Sequence, residues 1–191
     1  MLKRFIAIIA LCVVPFLSAR AGSTHQAFER EDALVLKAAL HSQCESGKGF
    51  VLLSSMAAAP RTGDDLGDAD ESGAFDDLKR RNSSVTALPE GLSCKAVRLR
   101  EEREIKGFFE QDSVSAEELP VDDAWKRLYE SFPGAKGWMT LSLPGYSPDG
   151  AIALVYVARY CGSLCGGGSY VYLRRTDGGW KVLFSFPTWV S

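Results

Sequence analysis

The chain has 191 residues, of which 46% are hydrophobic, and it carries 22 basic and 24 acidic side chains. This length is that of one globular domain with a core of its own. The excess of acidic residues argues against a protein that binds nucleic acid or an anionic membrane surface electrostatically, because such binding needs a basic face. Beyond residue 21, no apolar run reaches the roughly 20 residues that a membrane helix needs.

The first 21 residues are typical of a secretory signal peptide. Lys3 and Arg4 precede an apolar run from Phe5 to Leu17, and Ala19-Arg20-Ala21 has the small-x-small pattern of a cleavage site. Cleavage removes three of the 22 basic residues and leaves 19 against 24 acidic ones, a net charge of −5. We therefore predict a periplasmic or secreted chain, with an uncleaved N-terminal anchor as the alternative.

Four cysteines lie beyond the predicted signal peptide, namely Cys44, Cys94, Cys161 and Cys165. An even number in an exported protein favours disulfides, and four cysteines allow three pairings, of which we favour Cys44–Cys94 and Cys161–Cys165. A redox pair is the alternative for Cys161 and Cys165, but thioredoxin-type pairs have two intervening residues and this pair has three. A zinc site of four cysteines is the other alternative, although the spacing of Cys44 and Cys94 is unlike that of a ligand pair.

The N-terminal half predicts one helix, one buried strand and a long insertion. We expect residues 22–29 to form a flexible leader and a helix to follow at 30–43, where apolar residues recur at helical spacing. The apolar run at 50–53 indicates a buried strand. Residues 57–92 are acidic and poor in large apolar side chains, so they predict a mobile insertion with a short helix near 75–81.

The C-terminal half predicts a sheet. Strand patterns occur at 94–99, 138–143, 151–160, 169–174 and 180–190, and a helix is expected at 122–132. Short turns such as Asp177-Gly178-Gly179 join the last four strands, which favours antiparallel neighbours, and Pro187 indicates a sheet edge. Residues 30–191 are therefore expected to form a single α+β domain, an antiparallel β-meander of four to six strands with two or three helices packed on one face.

Several C-terminal motifs resemble those of a group of uncharacterised exported bacterial proteins. The motifs are Trp138-Met-Thr-Leu-Ser142, Gly145-Tyr-Ser-Pro-Asp-Gly150, Ala153-Leu-Val-Tyr156, Cys161-Gly-Ser-Leu-Cys165-Gly166 and the terminal Trp189-Val-Ser191. The resemblance covers roughly residues 30–55 and 105–191 and leaves the acidic insertion out. It implies export and a shared fold, and it transfers no catalytic residue.

Two candidate sites are visible in the pattern. Asp68, Asp70, Ser72 and Asp76 match positions of a calcium-binding loop, but Lys79 stands where a bidentate glutamate belongs, so a solvated acidic linker is the favoured interpretation. A possible interaction loop comprises Gly162, Ser163, Leu164, Gly166, Gly167 and Gly168. Its glycines could also cradle an anion, although turns are the commoner reason for such a run.

No linear motif indicates catalysis. The two histidines, His25 and His41, have no evident third partner, and Ser46-Gly-Lys48 lacks the glycine and hydroxyl residues of a phosphate-binding loop. We therefore expect no cofactor and no catalytic residue, and the leading hypothesis is an exported, non-catalytic module that binds a protein, a glycan or a small ligand. The alternatives are an inhibitor of an exported hydrolase, or a thiol–disulfide or carboxylate-based enzyme.

Overall fold

A computed structural model describes the backbone of residues 20–191 except 48, 62–65, 67–69 and 111–120, and the side chains of these residues from Phe28 onward except Val121. Almost all of the predicted signal peptide therefore lies outside the described residues. The helices are α1 (Arg20–Ala39), α2 (His41–Glu45), α3 (Ala74–Arg81), α4 (Glu102–Glu110) and α5 (Val121–Ser131). The strands are β1 (Phe50–Ser54), β2 (Val97–Arg100), β3 (Ala135–Leu141), β4 (Gly145–Tyr146), β5 (Ile152–Gly162), β6 (Cys165–Thr176) and β7 (Gly179–Val190).

All seven strands belong to one sheet in the order β2-β1-β3-β5-β6-β7, with β4 also paired to β5. The pairs β3–β5, β5–β6 and β6–β7 are antiparallel, as the turn chemistry predicted. The pairs β1–β2 and β1–β3 are parallel, so the expectation of a purely antiparallel meander is wrong. The reason is that helices occupy the connections between these three strands, and such crossovers return the chain in the same direction.

Helices cover both faces of the sheet, which corrects the expectation of a single helical layer. On one face, α1 places Val35 and Leu36 against alternate strand residues such as Val51 and Val155. On the other face, α3 packs Phe75 and Leu78 on β5 and β6, and α4 and α5 pack on Phe50 and Leu52 of β1. Because successive residues of β1 point to opposite faces and both faces are buried, the apolar run at 50–53 serves two layers.

The segments predicted to be flexible contain regular structure. Helix α1 begins at Arg20 and so includes residues 22–29, where a flexible leader was expected. Within the predicted insertion, α3 matches the short helix expected near 75–81. Most of the few large apolar residues of the insertion are used in the core: Leu66, Phe75, Leu78, Leu88 and Leu92 are buried, and Val85 is exposed.

Two disulfides are present, in the pairing favoured from the sequence. Cys44 of α2 is bonded to Cys94, which lies just before β2, and Cys161 is bonded to Cys165 across the tip of the β5–β6 hairpin. Such bonds persist outside the reducing cytoplasm. None of the helices in the described part of the chain combines the length and the hydropathy that a bilayer span requires.

Candidate ligand-binding pocket

Asp32 of α1 is a buried carboxylate, only 4% exposed, that connects three elements. Its Oδ1 accepts hydrogen bonds from Nη1 of Arg81 at 3.0 Å and from the hydroxyl of Tyr146 at 2.8 Å. Its Oδ2 accepts a third hydrogen bond, from Nη2 of Arg81 at 2.7 Å. Arg81 is the last residue of α3 and Tyr146 lies on β4, so the carboxylate ties α1 to α3 and to the sheet.

Gly145 allows α3 to approach closely enough for this ion pair. A Cβ atom at Gly145 would overlap the carbonyl oxygen of Ala74 and the amide nitrogen of Leu78, both in the backbone of α3. The helix therefore lies directly on β4. Asn82 then holds the end of α3 in place, because its side chain accepts a hydrogen bond from the N–H of Leu143 at 2.7 Å and donates one to the carbonyl of Leu143 at 3.0 Å.

The buried groups also change one another's ionisation. Burial raises the pKa of the Tyr146 hydroxyl, the charge of Asp32 and the hydrogen bond to it raise this pKa further, and Arg81 lowers it in part. Burial lowers the pKa of the Arg81 guanidinium, but the hydrogen bonds and the charge of Asp32 outweigh this effect, so the pKa is raised overall. At neutral pH the cluster therefore contains a neutral tyrosine that donates to Asp32 and a fully charged arginine.

We expect the stabilising contribution of Tyr146 to fade at alkaline pH. The folded state keeps the Tyr146 proton above the ordinary tyrosine pKa of about 10, whereas the unfolded chain releases it there. Stability that depends on this proton is complete below about pH 10 and falls above it, since the unfolded state then binds fewer protons than the folded state. The measurement is urea unfolding of the wild-type chain and the Tyr146→Phe variant at about pH 8 and about pH 11. The difference in the free energy of unfolding between the wild type and Tyr146→Phe should be smaller at the higher pH. An equal difference at both pH values would contradict this expectation.

Glu31, next to Asp32, attaches α1 to the β6–β7 hairpin. Its Oε1 accepts a hydrogen bond from Nε1 of Trp180 at 2.6 Å and lies 2.6 Å from Nη2 of Arg175. The Trp180 ring also contacts Tyr146, with ring centroids 5.9 Å apart. Neighbouring carboxylates on α1 thus bind different elements, and both fix the position of this helix over the sheet.

A pocket of about 820 Å³ opens between α1, the end of α3 and the segment 86–90. Asp32 and Arg81 lie in its wall. Its apolar lining consists of Phe28, Ala33, Ala87, Leu88, Pro89 and Leu143, and its other lining residues are Glu29, Arg30, Arg80, Thr86 and Glu90. The pocket therefore combines an apolar surface with side chains of both charges and one rigid buried ion pair.

The calcium candidates that the structure describes make contacts within the turn before α3 and on the surface of α3. Asp68 lies outside the described residues, and Asp70 accepts hydrogen bonds from the N–H groups of Ser72 and Phe75, which closes the turn before α3. Asp76 is paired with Lys79 at 3.0 Å and its side chain is 86% exposed. Among the residues that the structure describes, no group of His, Cys, Asp and Glu side chains is arranged to hold a metal ion.

The predicted interaction loop is mostly strand. Gly162 ends β5 and Cys165 begins β6, so only Ser163 and Leu164 form the turn, and Leu164 is exposed. Gly167 and Gly168 are paired with β5 on one side and with β7 on the other, which leaves no open turn of backbone amides around an anion. A Cβ at Gly168 would overlap the indole of Trp189, so this glycine makes room for a ring whose Nε1 donates to the Tyr156 hydroxyl at 2.8 Å.

Cys161, Cys165 and His41 are not among the residues that line the pocket. The thiols of Cys161 and Cys165 are joined to each other, and His41 pairs with Glu45 of the same short helix at 3.4 Å on the surface. The backbone of His25 belongs to α1, and Lys48 lies outside the described residues. Sequence reasoning missed the Asp32–Arg81–Tyr146 cluster altogether, since its members stand far apart in the chain.

No protein-family model, no curated protein and no solved structure matches the chain. The chain is an α+β domain with a mixed, mainly antiparallel sheet, helices on both faces and two disulfides.

Proposed function

We propose that this chain is an exported, periplasmic or secreted, binding module that holds a small ligand in the pocket between α1 and α3. The observation that carries the proposal is the pocket itself. Its volume of about 820 Å³ is that of a small-molecule site, and it combines apolar walls with a few polar groups held by a rigid scaffold. The two disulfides support export.

The charges around the pocket favour a ligand with both a cationic and an anionic group. Asp32 and Arg81 neutralise each other, and Arg80 is in contact with Asp77, so the lining has no surplus of positive charge for a phosphate. Among the other lining residues, Arg30 adds one positive charge, and Glu29 and Glu90 add two negative charges. A short peptide or another zwitterion with an apolar side chain matches this arrangement, because complementary charges orient a ligand and exclude the wrong ones.

The composition of the lining supports binding over catalysis. The described residues that line the pocket include no histidine, cysteine or serine. The buried carboxylate, Asp32, accepts three hydrogen bonds from neighbouring side chains. A general base must be able to take a proton from a substrate, and a carboxylate held between a cation and a tyrosine hydroxyl is poorly placed for that task.

Filling the pocket is expected to abolish ligand binding. Ala33 lies in the pocket wall on α1, so Ala33→Trp places an indole in the space that a ligand needs. Lys37, one turn further along the same helix and exposed, provides the control variant Lys37→Trp. Short apolar peptides and free amino acids are titrated against both variants and the wild type by heteronuclear NMR, with glucose 6-phosphate as an anionic probe. We expect zwitterions to shift resonances of residues 86–90 in the wild type and in Lys37→Trp, with affinity reduced at least about tenfold in Ala33→Trp.

Two results would count against the proposal. Equal binding by Ala33→Trp and the wild type would place the ligand elsewhere. Binding of the sugar phosphate in preference to every zwitterion would retain the pocket but reject the proposed ligand chemistry.

A further inference from the structure

Strand β7 is a long sheet edge that is open to solvent. Among the described strands it pairs only with β6, and its 12 residues span about 40 Å at the usual rise per residue. Five of the nine large hydrophobic side chains exposed in the described part of the chain belong to this one strand: Val182, Leu183, Phe184, Phe186 and Val190. Such a concentration of exposed apolar side chains marks an interaction surface.

The opposite edge of the same sheet is protected against pairing with another chain. Exposure to such pairing is therefore a property of β7 and not of both edges of the sheet. Strand β2 has four residues, and two of them are the arginines Arg98 and Arg100. Short length and inserted charge are the usual devices that prevent an edge strand from pairing with another chain. In β7 the only charged side chain is Lys181.

The exposed phenylalanines continue an aromatic row that α3 covers only in part. Tyr172 stacks on Phe184 with ring centroids 4.5 Å apart, and Tyr170 lies opposite Phe186 in the β6–β7 register. Phe75 of α3 packs edge-on against Tyr170 at 5.4 Å. Phe184 and Phe186 remain 53% and 46% exposed. The row therefore stops at the sheet edge with its last two rings uncovered.

The backbone at the centre of β7 is oriented to pair outward. The two-residue turn at Asp177 and Gly178 makes Thr176–Gly179 the hydrogen-bonded closing pair of the hairpin. Hydrogen-bonded and non-bonded pairs alternate from there along β6, so Val171–Ser185 is a non-bonded pair. The N–H and C=O of Ser185 consequently point away from β6, toward solvent.

We propose that β7 pairs antiparallel with β7 of a second copy of this chain, about a two-fold axis at Ser185. The side-chain pattern is self-complementary about this residue. The axis places Phe184 opposite Phe186 of the other copy, which extends the aromatic row across the junction, and aromatic cross-strand pairs stabilise a sheet. It also keeps the two Lys181 side chains at opposite ends of the junction, so that these like charges do not face each other.

The irregular positions of β7 define where this pairing is strongest. Pro187 lies opposite Ser169, which is a non-bonded position of the β6–β7 pair. An N–H at residue 187 would therefore point outward, toward the second copy. Because proline has no N–H, each copy loses one hydrogen bond of the junction there. Register shifts in the β6–β7 pairing leave Leu183 and Thr188 without a direct partner on β6, and such bulges increase the local twist. The junction is therefore centred on the three residues Phe184, Ser185 and Phe186.

Charge variants at Ser185 test this geometry directly, because a two-fold axis brings the same residue of both copies together. The full chain, purified as the host cell produces it, is studied by sedimentation equilibrium over a wide concentration range. We expect the wild type and the control Ser185→Thr to have twice the mass of one chain, and Ser185→Asp and Ser185→Lys each to have the mass of one chain. An equimolar mixture of the two charged variants is expected to regain the doubled mass, since opposite charges then meet at the axis.

Each other outcome overturns the proposal. A wild type with the mass of one chain throughout shows that β7 is not covered by a second copy. Charged variants that stay dimeric, or a mixture that stays monomeric although both variants have the circular dichroism spectrum of the wild type, show that the axis does not pass through Ser185. Ligand binding at the α1–α3 pocket is measured separately on the same samples, so the two proposals can fail independently.

Discussion

Replacing Asp32 with alanine is expected to lower the free energy of unfolding by about 3–5 kcal/mol, because it leaves the charge of Arg81 without its buried partner. The side chains of Asp32 and Arg81 are only 5% and 16% exposed, so water replaces only a small part of the lost contact. The loss also removes the acceptor of the Tyr146 hydroxyl. Urea unfolding followed by far-ultraviolet circular dichroism measures the effect.

Two further variants separate the buried charge from the general effect of removing a carboxylate. Asp76→Ala removes an exposed carboxylate that pairs with Lys79, and it should cost less than about 1 kcal/mol. The double variant Asp32→Leu/Arg81→Met removes both charges together and should be less destabilised than Asp32→Ala, since no unpaired charge remains. A double variant as unstable as Asp32→Ala would show that packing, and not the charge, determines the loss.

Removing the Cys44–Cys94 disulfide is expected to cost about 4 kcal/mol, and removing the Cys161–Cys165 disulfide about 2 kcal/mol, on the chain-entropy account of cross-links. The first bond joins cysteines 50 residues apart and the second joins cysteines four residues apart. The longer loop restricts the unfolded chain more. The Cys44–Cys94 bond also connects α2, which follows α1, to the segment that leads into β2.

The two double-serine variants serve as controls for each other, because each removes two thiols and one bond. Their unfolding midpoints in urea, without reductant, should fall in the order wild type, Cys161→Ser/Cys165→Ser, Cys44→Ser/Cys94→Ser. Equal midpoints for the two variants, or the reverse order, would contradict the account. Two free thiols in the native wild type would show that one of the two disulfides is absent, and the comparison of the two variants would then lose its meaning.

Much of the local structure could be predicted because it depends on neighbouring residues. The period-two patterns at 151–160 and 169–174 correspond to β5 and β6, and the turn at 177–178 closes the hairpin as expected. The helix predicted at 122–132 corresponds to α5, and the one at 30–43 to the second half of α1. Each of these elements has a hydrophobic period or a turn signal of its own.

The pocket was missed, although one of its residues left a signal. Asp32 stands three and four positions before Val35 and Leu36, which are buried on the sheet side of α1. A charged residue at that spacing lies on the apolar stripe of the helix and needs a buried partner. The sequence could therefore have indicated that Asp32 is paired. It could not indicate Arg81 or Tyr146, which are 49 and 114 positions away.

The strand directions near the N-terminus could not be predicted for a similar reason. The apolar run of β1 indicates burial on both faces and does not say which strands lie beside it. Its parallel pairing with β2 and β3 follows from where α3, α4 and α5 find apolar surface on the sheet. That choice depends on the packing of the whole domain.

The hairpin elements, the helix stripes and the favoured disulfide pairing could be predicted from residue order, local spacing and cysteine chemistry. The parallel half of the sheet, the helices on both faces, the Asp32–Arg81–Tyr146 cluster and the pocket beside it are visible only in the folded chain. Those features arise from contacts between residues far apart in the chain. Their energies depend on burial and distance, which no local pattern records.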